Sequence, residues 1–351
     1  MTRRLRFFRG ISSAFHFALI QIIVVSFCLS AGCSGNPMNG NTVIVPHIAP
    51  VAGAEDPPSP SYSFPFEDAT ISLCFAVDGT VYAGAKAADK EVTIVGNVPE
   101  SEWMARSYRA MIDDPNQDQF YTGLQEQLRT IRSEMSLSDD EFADLMAVFV
   151  QSIPYETTPE NPAKFPIETF AEKSGDCDDK SLLLAALLSR EGFKTALFSF
   201  PNESHMAVGI ACNGSGYLNT GYSYIETTNL SFIGVSPDGL GAGVTLNSDP
   251  LVIPVGSGNM TYNSCEQTSS LHTVYESTGN RFNNLSHRAD EMRADLKDLS
   301  ENGNIPAYNR QVREFNLLIA EMNRVAAIHN FIAGHQYDRK GTYEWIAAHP
   351  L

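Results

Sequence analysis

The sequence predicts an α+β domain with an antiparallel helical hairpin appended at its C-terminus. Three observations predict it. A long apolar run at helical length follows "GDCDD" (175–179), and three short strand-like stretches follow that run. The last 80 residues then change to apolar steps of three and four. A chain of 351 residues with 43% apolar content can bury a core of this size, and wholesale disorder is excluded.

The N-terminus reads as a targeting segment. "MTRRLRFFRG" is a basic n-region, "ISSAFHFALIQIIVVSFCLS" an apolar h-region, and "AGC" places small residues before Cys33. This order predicts export. The small residues before Cys33 resemble the lipobox of exported lipoproteins, although Leu29 stands four residues ahead of the cysteine and not the usual three. Lipidation at Cys33, an uncleaved transmembrane anchor and simple secretion are all open. The expected location is membrane-tethered, on the outer face of the cytoplasmic membrane or in the cell envelope. Residues 1–32 hold four Arg and no acid, which leaves 20 basic against 41 acidic residues from Cys33 on. A surface that negative repels phosphate backbones, so nucleic acid is not an expected partner.

Residues 34–64 are rich in Pro, Gly, Asn and Ser without a helical period, and predict a flexible linker. Residues 69–97 alternate in places, and the "DG" at 78–79 predicts a hairpin turn. Residues 101–150 read as two helices spread over "SEWMARSYRAMIDD", "DQFYTGLQEQLRTIRSEM" and "SLSDDEFADLMAVFVQSI". The first opens on a Ser cap. In the last, Ser138 with Glu141 three positions on forms a capping-box pattern.

The run after Gly175-Asp176 predicts a helix from Cys177 to Arg190, with Gly192 just past its end. "KTALFSF" (194–200), "HMAVGIA" (205–211) and "YLNTGYSYIETT" (217–228) predict strands, and a Gly- and Pro-rich segment follows. In the last part, Tyr275, Phe282, Leu285, Ala289, Met292, Leu296 and Leu299 form one seam. Val312, Phe315, Leu318, Met322, Val325 and Ile332 form the facing one, and "SENGNIPAY" separates the two runs. The hairpin reads as a packing accessory, with a partner-binding coiled coil as the other reading.

Chemistry concentrates on three residues. A thiol attacking a carbonyl needs a base that can become an acid, and that base needs an orienting partner. Cys177 sits where a helix starts, so the helix end favours a thiolate and points N–H groups at an oxyanion. His205 opens one strand and Glu226 ends the next, and adjacent antiparallel strands can bring the two side by side. Each has a plain alternative: a buried core cysteine, a satisfied histidine, a strand-end charge. Asp176, Asp178 and Asp179 oppose thiolate formation by repulsion, and are expected to cap the helix while facing away from the sulfur. Gln151 and Tyr155 are the candidates for a second oxyanion donor. No Cys/His set has a zinc-like spacing, so no metal and no cofactor is expected. If Cys177 stays reduced, Cys74, Cys212 and Cys265 allow at most one disulfide, which the sequence does not choose.

"GDCDDKSLLLAALLSREGF", then "HMAVGI", then "YIETT" resembles the transglutaminase-like superfamily of cysteine enzymes, above all its exported microbial members. "FVQSIPYETTPENPAKFPIETF" resembles the family's lead-in to the cysteine. The resemblance covers about 145–235. It implies a papain-like, transglutaminase-like core in which the cysteine helix packs on an antiparallel sheet. It also implies Cys177 as nucleophile, His205 as general base and acid, and Glu226 as orienter, where many members carry Asp. The domain plan is then a signal peptide, lipobox or anchor over 1–33, the linker over 34–64, the transglutaminase-like domain over 65–265, and the helical hairpin with a C-terminal segment over 266–351. The expected activity is thiol-dependent acyl chemistry on amide bonds of a protein or peptide substrate through a Cys177 thioester. Hydrolysis of the cysteine peptidase or amidase kind leads, because water needs no second binding site. Transglutaminase cross-linking is the alternative, and a non-catalytic binding module at the cell surface is the rival from another class.

Overall fold

The computed structural model of the chain describes residues 2–5, 41–157, 162–237 and 245–350. The apolar h-region, Cys28 and Cys33 lie outside the described residues. The backbone of Thr2–Leu5 forms a strand, β1. β1 and β2 (Thr42–Ile44) flank β5 (Val92–Val95) in a three-stranded antiparallel sheet. Among the described residues no helix is long and apolar enough to cross a membrane.

The molecule is mixed α/β, with antiparallel sheets and a C-terminal helical pair. β3 (Ser61–Phe66) and β4 (Ala69–Cys74) form a two-stranded ribbon. In β3 the alternation buries Tyr62, Phe64 and Phe66 and exposes the residues between them. Ile48 is buried as well. The flexible linker expected over 34–64 is therefore held against the domain from residue 41 on, because its few apolar side chains find a core. The "DG" at 78–79 makes no hairpin. Asp78 caps α1 (Gly79–Ala87), accepting the N–H groups of Thr80 and Val81.

Residues 100–152 hold three helices in place of the expected two: α2 (Glu100–Ile112), α3 (Asp118–Met135) and α4 (Asp139–Ser152). α2 starts after Pro99, so Ser101 is inside the helix and not its cap. The Ser138–Glu141 capping box is present at the start of α4. α5 (Pro166–Glu172) leads into α6 (Cys177–Arg190), which ends at Gly192 in a left-handed conformation with φ +92°.

α6 is buried over nearly its whole length, which is why its sequence is apolar without a polar face. Leu182, Leu183, Leu184, Leu187 and Leu188 are fully buried, each contributing about 2 kcal/mol by area removed from water. α6 lies against the main sheet, ordered β8 (Tyr222–Ile225), β7 (His205–Ala211), β6 (Thr195–Phe200), β9 (Leu251–Val255), all antiparallel. Leu197, Met206, Val208, Ile210 and Ile225 join the α6 core. The alternate residues Phe198, Phe200, Ala207, Tyr222 and Tyr224 form a second cluster. β9 lies inside the segment that read as Gly- and Pro-rich loop, with Pro254 tolerated because β9 is an edge strand.

α7 (Cys265–Glu301) and α8 (Ile305–Gly334) form the hairpin, with Leu285, Ala289, Leu318 and Val325 buried along the expected seam. A further helix, α9 (Arg339–Ala348), returns to the core. Its Arg339 donates to Asp144 of α4 at 2.8 Å, and Tyr262 donates to the other Asp144 oxygen at 2.8 Å. Burial pushes the Asp144 carboxyl up, and Arg339 opposes that. A disulfide joins Cys212, just past β7, to Cys265 at the start of α7. The segment expected as an appendage over 266–351 is thus fastened to the sheet at one end and to α4 at the other.

Candidate active site

The first turn of α6 is built by its own aspartates. Asp176 caps the helix, accepting from the N–H groups of Asp178 at 3.1 Å and Asp179 at 3.3 Å. Asp179 reciprocates, accepting the Asp176 N–H at 3.1 Å, and with its other oxygen the Lys164 N–H at 2.7 Å. A Cβ at Gly175 would sit 2.8 Å from the Asp179 Cβ, so this closure requires glycine. Two of the three aspartates are caps as expected. Asp178 is not turned away: its Oδ1 lies 3.4 Å from the Cys177 Sγ and accepts the thiol proton. The reason is geometric, since Asp176 and Asp179 already satisfy the cap and leave the Asp178 carboxylate beside the sulfur. Asp176, Cys177 and Asp178 each bring one potential ligand atom within 4.8 Å of the others, yet one Asp176 oxygen is already taken by the helix N–H groups.

Cys177 is buried, at 1% exposure, and its Sγ lies 4.0 Å from the carbonyl oxygen of Ser204, the residue before His205. On β7 and just beyond β8, His205 and Glu226 come together: Nε2 of the imidazole is 3.3 Å from Glu226 Oε2, and both residues are buried. The antiparallel pairing of Val208 with Ile225 sets this approach. Glu226 Oε1 accepts the N–H groups of Thr227 and Thr228 at 2.9 Å each, and the Thr228 hydroxyl at 2.7 Å. Burial pushes the Glu226 carboxyl up, but the hydrogen bond and charge of His205, with Thr228 and Tyr224, outweigh it and hold the group down at about 2. Glu226 is an anion beside the imidazole, the state an orienting carboxylate needs. Nε2 is turned to that side, and Nδ1 lies on the opposite side of the ring.

Gln151 does not fill the oxyanion role expected of it. Its amide nitrogen donates to the carbonyls of Glu226 at 2.8 Å and Ser231 at 2.9 Å, and its oxygen accepts the Ser231 N–H at 3.3 Å. It orders the chain leaving β8, and its donors are spent there. Tyr155 is half exposed, and its backbone bridges Gly175, two residues ahead of Cys177. Position keeps it beside the start of α6.

Two residues of the site escaped the sequence reading. Lys180, one turn into α6, is fully buried and donates to the carbonyls of Gln151 at 3.1 Å and Ile153 at 2.6 Å. Burial pulls its ammonium down to about 8 against the upward effect of Glu226. Tyr224 donates to Glu226 Oε2 at 2.7 Å and lies 3.0 Å from His205 Nε2. The signal that could have found it is the strand period, since residues 224 and 226 are two apart. No protein-family model, no curated protein and no solved structure matches the chain.

Proposed function

We propose that the protein carries out thiol-dependent acyl chemistry on amide bonds, with Cys177 as nucleophile, His205 as general base and acid, and Glu226 as orienter, on a papain-like, transglutaminase-like core. The observation that carries this reading is the buried His205–Glu226 pair, ionised on the carboxylate side, with the Cys177 sulfur held against the residue before His205. A buried charge is expensive unless it is paired, and one with five hydrogen-bonding contacts is a built feature. Cys177 at the helix start supplies N–H groups for the oxyanion. Hydrolysis of a peptide or protein amide is the leading outcome, since water needs no site of its own; transfer to an amine uses the same three residues. The Cys212–Cys265 disulfide fits the oxidising surroundings of an exported, membrane-tethered protein.

A second reading, a binding module that retains the fold without turnover, is favoured by one observation: the thiol is 1% exposed and donates to Asp178. Iodoacetamide labelling across pH, resolved at the Cys177 peptide, separates the two. The enzyme reading expects Cys177 to react faster near neutral pH than an unfolded-peptide cysteine, and His205→Ala to remove that advantage. Equal rates, with a pH profile untouched by His205→Ala, would leave Cys177 as a core residue.

A further inference from the structure

Tyr224 stands between the two groups just paired. Its hydroxyl is 3.0 Å from His205 Nε2 and 2.7 Å from Glu226 Oε2, both closer than the 3.3 Å that separates the imidazole from the carboxylate. The ring has a packing role of its own in the cluster behind the sheet, with Tyr217 5.2 Å and Phe198 6.3 Å away centre to centre. Packing explains the ring and not the hydroxyl.

The hydroxyl has one proton to give. Glu226 is ionised and can only accept, so the phenol proton goes to Oε2. Burial and the Glu226 charge keep the phenol protonated, so it cannot take up the role of an anion. Its oxygen can then face His205 Nε2 only as an acceptor, which requires the ring proton on Nε2. We propose that Tyr224 is a positioning residue: its hydroxyl accepts from His205 Nε2–H while donating to Glu226, and so fixes the imidazole tautomer that presents a bare Nδ1 to Cys177. Tyr224 and Glu226 face this imidazole from the β8 side, the Cys177 sulfur lies against the carbonyl of the preceding Ser204, and Lys180 of α6 acts on Glu226. The inference rests on Cys177 being the nucleophile only for its consequence; the tautomer stands or falls independently.

The test is two-bond proton–nitrogen NMR of the full chain labelled at histidine, with His205→Ala assigning the resonance. The wild type is expected to show a single Nε2–H form whose proton exchanges slowly. Tyr224→Phe keeps the ring contacts and removes the acceptor, so exchange of that proton should quicken by on the order of tenfold. The same variant should displace the pH profile of Cys177 alkylation by about half to one unit, where loss of packing alone would lower the rate equally at every pH. Adding Glu226→Gln to Tyr224→Phe should cost less than the two single effects combined, because both act through one imidazole. An Nδ1–H form in the wild type overturns the proposal, and that measurement decides even if Tyr224→Phe fails to fold. So does a Tyr224→Phe variant with unchanged exchange and an unchanged profile. A wild type with the Nε2–H form but an unreactive Cys177 would sink the enzyme reading and leave the positioning role of Tyr224 in place.

Discussion

Lys180 gives the sharpest prediction, because its situation fixes both a sign and a size. The side chain is fully buried one turn after Cys177, and its ammonium is held by two carbonyls at the end of α4. Burial lowers its titration from the ordinary 10.5 to about 8. Between those values the unfolded chain holds a proton that the folded chain has released, so stability must rise with pH across that window. Below pH 8 both states are protonated and the whole penalty of the buried charge is present. Above 10.5 both are neutral and it is gone. At about 1.4 kcal/mol per unit, the penalty is on the order of 3 kcal/mol. Urea unfolding of the wild type and of Lys180→Met, measured from pH 7.5 to 11 with the disulfide intact, reads it directly. The difference between the two proteins should move by about 3 kcal/mol in favour of the wild type between pH 8 and 10.5, while tyrosine and other lysine ionisations cancel. Parallel curves would refute the reasoning, since they would mean that the ammonium is charged in the folded state throughout.

The Arg339–Asp144 pair predicts that the hairpin cannot be trimmed freely. Arg339→Met, or a chain ending at residue 335, leaves the Asp144 carboxylate buried with one partner fewer and should lower stability by about 3–5 kcal/mol in urea, whereas an unchanged midpoint would mean α9 is only an attachment. A non-reducing peptide map should recover Cys212 linked to Cys265, and serine at both positions should cost about 2–4 kcal/mol; Cys74 in that linkage instead would contradict the fold at the end of β7. If 1–33 is the lipobox signal expected from the sequence, intact-mass measurement of the protein from its producing cells should give a mature chain beginning at Cys33 and carrying lipid, and retention of residues 1–32 would exclude that route.

What was legible in the sequence is what short-range chemistry decides. The Ser138–Glu141 box, the start of α6 at Cys177, its end at Gly192 and the heptad-like seam of α7 and α8 all rest on residues within a few positions of one another. The His205–Glu226 contact was legible because adjacent antiparallel strands leave little choice of neighbours. Asp78-Gly79 misled because one chemistry serves two ends: an Asp that caps a helix and an Asp that opens a turn look alike, and the helix that follows decides. Lys180 was invisible for a different reason. A lysine in a helix normally reaches water, and only carbonyls from another helix, almost thirty residues earlier, explain its burial. The Arg339–Asp144 pair spans 195 positions, beyond any local pattern.

The acidic start of α6 can now be weighed against the chemistry proposed for it. Asp178 accepts the thiol proton at 3.4 Å, and under the proposed chemistry it would compete with His205 for it. The two competitors sit in different surroundings. Asp178 is partly open to solvent, whereas His205, Tyr224 and Glu226 are all buried. A unit charge at about 4 Å acts with about 1 kcal/mol in water and about 4 kcal/mol at the effective dielectric of a protein interior near the surface. Repulsion from Asp178 is therefore screened toward the smaller figure, whereas a positive charge formed on the buried His205 side in the proposed reaction would act nearer the larger. The two capping aspartates are turned to helix N–H groups, and their charge is offset there by the helix end. On this balance a cysteine flanked by three carboxylates can still lose its proton to His205. The outcome depends on the His205 side staying dry, which is what the buried face of α6 and the closed network around Glu226 provide.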